Sequence, residues 1–182
     1  MTEQTGKGSP RLWARLAGIL YLISVLTAVT GEFFARSNMD SFTKIVVPVV
    51  CYMAVTLLMY AIFQVVKRSL ALLAIAFNLV GLVLDAYRWQ PQGLNVGMVF
   101  HGVYCVVIGF LILRARFMPR LLGALMALAG LIWLLYLSPP VAGRLAPYNT
   151  VVGLAAEALP MLWLLVMAVD EEKWRQQASE SK

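Results

Sequence analysis

The stretch Leu70–Trp89, LALLAIAFNLVGLVLDAYRW, decides the fold of this chain. Its apolar part, Leu70 to Leu84, is fifteen residues long, whereas a helix that crosses a bilayer needs about 20. The helix is therefore expected to continue through Asp85, Ala86, Tyr87 and Arg88 to Trp89, which carries Asp85 to membrane depth. A carboxyl group there is costly in lipid and belongs against other helices or a water-filled cavity.

Five more apolar runs flank this one. With 61% hydrophobic and 13% charged residues among 182, and a mean hydropathy of +0.79, the chain carries more apolar surface than a soluble core could hide. The runs predict helices over Leu12 to Phe34, Ile45 to Val66, Leu70 to Trp89, Gly93 to Leu113, Leu121 to Leu137 and Tyr148 to Val169. The expected fold is an all-α, six-helix transmembrane bundle with short loops, so consecutive helices run antiparallel. Residues 1–10 are polar and read as disordered. Residues 170–182 read as a charged tail, helical as far as Arg175, and Ser138 to Pro147, with three prolines and one glycine, reads as a stiff loop.

Basic residues resist translocation and so set the orientation. Eleven of the 15 Lys and Arg fall on alternate segments: Lys7, Arg11 and Arg15; Lys67 and Arg68; Arg114, Arg116 and Arg120; Lys173, Arg175 and Lys182. The other segments hold Arg36, Lys44, Arg88 and Arg144, so both termini are expected in the cytoplasm. Trp13 and Trp174 inside, with Trp89 and Tyr148 outside, suit interfacial belts. Topology thus explains the net charge of +6, and no nucleic-acid partner is expected. The first run exceeds the 7–15 residues of a signal-peptide core and is retained as a helix.

Small residues mark where helices meet, because lipid supplies no hydrophobic drive for association. Gly102, Cys105 and Gly109 share one face of the fourth helix, and Gly123, Ala127 and Gly130 one face of the fifth; both stripes read as packing seams. Pro48 and Pro160 are expected kinks. Cys51 and Cys105 read as buried, inert thiols, with a disulfide open only if their helices are staggered. The similar basic openings at Arg15, Arg68 and Arg120 suit cytoplasmic anchors better than an internal repeat.

The ionisable residues inside these runs form the candidate site. In the third helix Asn78, Gly81, Asp85 and Arg88 share a face, and Asp85 and Arg88 are spaced to pair. Glu157 lies about 13 Å deep, at about 1.5 Å per residue from Tyr148, with no basic residue within a turn of it on its own helix, so it needs a partner from elsewhere. His101 is expected at a similar depth on the outer side, with Tyr104 a turn further in, and a proton-sharing pair with Glu157 is geometrically allowed. Glu32, with Arg36 one turn on, completes the set. Each also has a bland reading as an interfacial or interhelical contact.

Several chemistries are excluded or disfavoured. No lysine lies within an apolar run to form a retinal Schiff base, a single histidine cannot ligate haem twice, and no phosphate loop, H-E-x-x-H or nucleophile elbow is present. No cofactor and no metal site are assigned; a carboxylate-rich set of Glu32, Asp85, His101 and Glu157, suited to zinc or manganese, is the less favoured option.

Four segments resemble a known family: Arg15 to Leu22, Gly31-Glu32-Phe33, Arg116-Phe117-Met118-Pro119-Arg120-Leu121-Leu122-Gly123 followed by Leu128-Ala129-Gly130, and Glu157 with Leu162-Trp163-Leu164-Leu165. The chain is similar over about residues 11–169 to the bacterial membrane family called domain of unknown function 4386. The resemblance implies a polytopic protein of the bacterial inner membrane and lends weight to Glu32 and Glu157. The leading expectation is a transport-type or binding protein whose polar site, made of Glu32, Asn78, Asp85, Arg88, His101, Tyr104 and Glu157, opens outward to a small cation, proton or polar solute. A structural or accessory subunit, in a homo-oligomer or larger membrane complex, and an intramembrane enzyme acting on a lipid or isoprenoid remain open.

Overall fold

The structure, a computed structural model, describes residues 9–33 and 41–180, with side chains given for 9–30 and 46–180. Among the described residues the regular structure is entirely helical: α1 (Pro10–Phe33), α2 (Ser41–Ala86), α3 (Val96–Arg114), α4 (Arg120–Leu134), α5 (Pro139–Leu145), α6 (Tyr148–Val166) and α7 (Glu171–Glu180). Five are long and apolar enough to cross a membrane: α1, α2, α3, α4 with its 3-10 extension to Leu137, and α6. The chain is a helical membrane protein.

The apolar part of α2, Val46–Ala86, has 41 residues and would measure about 60 Å if straight, twice the hydrocarbon thickness. It is not straight. Lys67 has extended backbone angles (φ −159°, ψ 102°), and the amide of Asn78 lies 2.5 Å from the hydroxyl of Thr56, a pair that a continuous helix would separate by about 33 Å. The helix therefore folds back at Lys67, where Lys67, Arg68 and Ser69 are all exposed. Two limbs result, residues 41–66 and 68–86, and the break falls where the sequence placed it.

Several boundaries differ from expectation. The second limb ends at Ala86 rather than Trp89, because the chain turns there and Arg88 takes a left-handed conformation (φ 50°). At 1.5 Å per residue the limb is about 28 Å long, which still places Asp85 in its last turn. α3 starts at Val96, not Gly93: Gly93 (φ 79°) ends a 3-10 turn and Asn95 caps the helix by accepting from the Met98 N–H at 3.1 Å. The expected stiff loop contains α5, opened by Pro139 and Pro140, whose fixed φ suits a first helical turn. α6 stops at Val166, since Ala168 has φ 58°. α7 runs on to Glu180, capped by Asp170, whose carboxylate accepts from the Lys173 N–H at 3.2 Å. That bond holds the Asp170 carboxyl below its ordinary range. Pro10 already belongs to α1; residues 1–8 lie outside the described residues.

The helices α1, α2, α3, α4 and α6 form a closed ring, each packed on the next and α6 returning to α1. Glycine permits the closest approaches. A Cβ on Gly109 would stand 2.6 Å from the Ala127 nitrogen and one on Gly130 2.7 Å from the Gly102 oxygen, so α3 and α4 touch backbone to backbone, as their stripes predicted. Pro48 and Pro160 sit within continuous helical turns. Outward faces are apolar, with Leu12, Leu16, Ile19, Ile23 and Leu26 forming an exposed stripe along α1. At one end α7 docks: Trp174 donates to the Ile62 carbonyl at 2.9 Å and packs edge-on against Trp13, while Arg116 pairs with Glu180 at 2.9 Å. The candidate site occupies the other half.

Candidate functional site

Glu157 is the polar centre of the ring. It is 3% exposed, and its partners all come from other helices. The Tyr52 hydroxyl of α2 donates to Oε1. The Trp133 indole N–H of α4 donates to Oε2 at 3.2 Å, and His101 Nε2 of α3 meets the same oxygen at 3.2 Å. Gly153, one turn earlier on α6, makes room for the Trp133 ring, which would lie 3.0 Å from a Cβ there.

Bond directions in this network follow from one backbone carbonyl. Thr56 Oγ1 donates to the Tyr52 carbonyl at 2.8 Å, so towards Asn78 it must accept, and only the Asn78 Nδ2 group can donate to it. Asn78 Oδ1 then faces His101 Nδ1 at 2.9 Å, which requires the histidine proton to sit on Nδ1. Nε2 of a neutral imidazole is left as an acceptor, and opposite it stands a carboxylate oxygen. Two acceptors at 3.2 Å repel unless a cation, at minimum a proton, lies between them. Cys105 Sγ, one turn along α3, is 3.5 Å from the same nitrogen.

A cavity of about 280 Å³ leads to this pair. Its walls come from every helix of the ring; Tyr21 and Ser24 of α1, Tyr52 of α2 and Trp133 of α4 line it together with Asn78, Asp85, His101 and Glu157. Asp85 is exposed and stands seven residues, about 10 Å along the helix, beyond Asn78, so it marks the end away from α7. The hydroxyls of Tyr21 and Tyr104 are buried and have no hydrogen-bond partner among the described residues.

Of the seven residues singled out in the sequence, Asn78, Asp85, His101 and Glu157 line the one cavity. Tyr104 packs behind the imidazole, with ring centroids 5.7 Å apart. Arg88 is exposed and does not line the cavity, and the expected Asp85–Arg88 ion pair does not form, because Arg88 has left the helix whose spacing would have paired them. Glu32 lies in the last turn of α1; its side chain, and all of Arg36, fall outside the described residues. Tyr52, Thr56, Trp133, Tyr21 and Cys105 were missed. Tyr52 and Thr56 do share a helical face at i, i+4, the one signal that could have flagged them. Both cysteines are free, so the disulfide option is closed, and Cys105 touches the polar network instead of packing inertly.

Residues 79–168 match the family model described as Domain of unknown function (DUF4386). This is the family the sequence resembles, over a narrower stretch than the resemblance covered. The match includes Asp85, His101, Cys105, Trp133 and Glu157, whereas Tyr21, Tyr52, Thr56 and Asn78 precede it. No curated protein and no solved structure matches the chain.

Proposed function

With that family match as premise, we propose that the chain is a multi-pass protein of the bacterial inner membrane that binds a small cation in the cavity ending at His101 and Glu157. Six crossings, two of them the limbs of α2, put both termini in the cytoplasm and open the cavity outward. The gathering of Arg11, Arg116 and α7 at one end, away from Asp85, supports that orientation under the positive-inside rule.

One observation carries the reading: with Nδ1 committed to Asn78, the Nε2 lone pair and the Glu157 carboxylate face each other at 3.2 Å, so that a cation placed between them is held by both. The cavity gives that charge a route in. A purely structural polar cluster would pair each acceptor with a fixed donor and need no opening.

Glu157→Gln tests this, because an amide N–H could bond Nε2 directly and dispense with the cation while preserving shape, with only the Trp133 N–H losing its acceptor. Protein purified in detergent should melt higher with one of the chloride salts of sodium, potassium, magnesium, manganese or zinc. At one hundred times Kd the stabilisation is about 2.7 kcal/mol, or roughly 5–10 °C at this size. Glu157→Gln should fold and lose the response. A wild-type protein indifferent to every salt would instead make the cluster structural. Asp85→Cys in a Cys51→Ser background should react with a membrane-impermeant maleimide from outside the cell; labelling only after lysis would reverse the orientation.

A further inference from the structure

We propose that His101 Nε2, Cys105 Sγ and one Glu157 carboxylate oxygen form a binding site for a divalent transition-metal ion of the zinc class, with a fourth position facing the cavity. This rests on the cation-binding reading above and names the cation's chemistry. The three donor atoms lie within 4.8 Å of one another; the nitrogen is 3.2 Å from the carboxylate oxygen and 3.5 Å from the sulfur. Tetrahedral zinc, with bonds of about 2.0–2.2 Å to N and O and about 2.3 Å to S, needs ligand separations of about 3.3–3.6 Å. Two edges of the tetrahedron are thus in place, and the third, from sulfur to carboxylate oxygen, lies within 4.8 Å and closes on binding.

The donor set is selective. A thiolate with an imidazole suits zinc or cobalt and disfavours sodium, magnesium and calcium, which take oxygen ligands. His101 and Cys105 are four residues apart on α3 and so present their donors from one face, while Glu157 faces them across the ring. Each ligand is oriented by a second residue, as metal ligands usually are: Asn78 fixes the His101 tautomer, and Tyr52 and Trp133 hold the two carboxylate oxygens.

Charge balance favours the exchange inside a membrane. Without metal, the thiol carries its proton and the His101–Glu157 pair shares another, so the cluster is neutral. On binding, the dication replaces both protons, leaving a thiolate, a carboxylate and a neutral imidazole around it. Two protons leave, one ion of charge +2 enters, and the cluster is again neutral, which avoids the cost of net charge at this depth. Three protein ligands leave one coordination position for water or a solute from the cavity, as open zinc sites do. Tyr21, 1% exposed and lining the cavity, offers its unpartnered hydroxyl to such a ligand.

The test uses the full chain purified in detergent, stripped with a chelator and titrated with cobalt(II) chloride as a spectroscopic probe. One cobalt per chain should bind, with a thiolate-to-cobalt charge-transfer band in the near ultraviolet and intense visible bands of four-coordinate cobalt, both lost when zinc chloride is added. Cys105→Ser should abolish the charge-transfer band, and Cys105→Ala, as a second variant, should do the same with its helical circular dichroism retained. Cys51→Ser should keep the band. Absence of the band in wild-type protein, or its survival in both Cys105 variants, overturns the proposal. If cobalt gives no band yet another chloride salt still raises the melting temperature of wild type and not of Glu157→Gln, the metal assignment falls and the cation site stands; with neither response, both fall.

Discussion

Against α4, helix α3 packs backbone to backbone; towards α6, which is not its neighbour in the ring, it reaches by the His101 side chain. The first contact is dry and made by absence, since Gly102, Gly109, Gly123 and Gly130 leave nothing between the two chains. The second is polar and made by presence, with His101 and Glu157 meeting across a gap that Tyr52 and Trp133 help to fill. Close packing holds two helices at a fixed distance, whereas a hydrogen-bonded bridge holds them apart with space beside it. One helix thus serves both as wall and as wall fitting. That division of labour keeps a cavity inside the ring.

The largest expected effect comes from breaking the dry side. Gly109→Leu would drive a side chain into the α4 backbone, where even a Cβ stands 2.6 Å from the Ala127 nitrogen; overpacking of this kind costs about 3 kcal/mol or more when backbone cannot yield. Little folded protein should survive extraction, as read by size-exclusion chromatography and helical circular dichroism. If Gly109→Leu melts like wild type, the seam is not what closes the ring.

On the polar side the loss should be similar in kind but conditional on chemistry. Glu157→Ala leaves the Tyr52 hydroxyl and the Trp133 N–H without their acceptor and His101 Nε2 without its partner, and should cost about 3 kcal/mol, while Glu157→Gln retains most of the stability. Thermal unfolding followed by circular dichroism separates the two. Equal losses would mean that volume rather than hydrogen bonding matters there.

A smaller effect lies outside both regions and gauges how independent the bundle is of its tail. Asp170→Ala removes the cap of α7 and should cost that helix about 1 kcal/mol, raising protease cleavage within residues 171–180 while the bundle's melting is unchanged. The Asp170 carboxyl is held low in the folded state, so its contribution is present above its unfolded pKa and fades as pH falls through its folded value. Acid should therefore loosen α7 before it touches the ring. If Asp170→Ala instead lowers the bundle's melting temperature, α7 is part of the core.

Much of this was legible in the sequence for reasons of length and charge. The apolar runs, the exposed break at Lys67 and Arg68 and the glycine seams follow from what lipid requires of a backbone, and these hold whatever the helices pack against. The depth match between His101 and Glu157 came from counting along two runs, and in the structure the two are in contact. Arg88 shows the limit of such counting. Its helical spacing from Asp85 assumed that the helix continued, and a local turn at Ala86 was enough to part them.

Composition and the lengths of the apolar runs determined that this chain must be a set of apolar helices with acids carried into them, because no arrangement in water could cover its surface. Tertiary structure decided which neutral-looking residues attend those acids. Tyr52, Thr56, Trp133 and Cys105 read along the chain as ordinary lipid-compatible core, and beyond the i, i+4 spacing of Tyr52 and Thr56 nothing local distinguishes them from Tyr60, Thr27, Trp163 or Cys51. They differ only in which way the ring turns them, and that depends on contacts between helices far apart along the chain, 105 residues in the case of Tyr52 and Glu157.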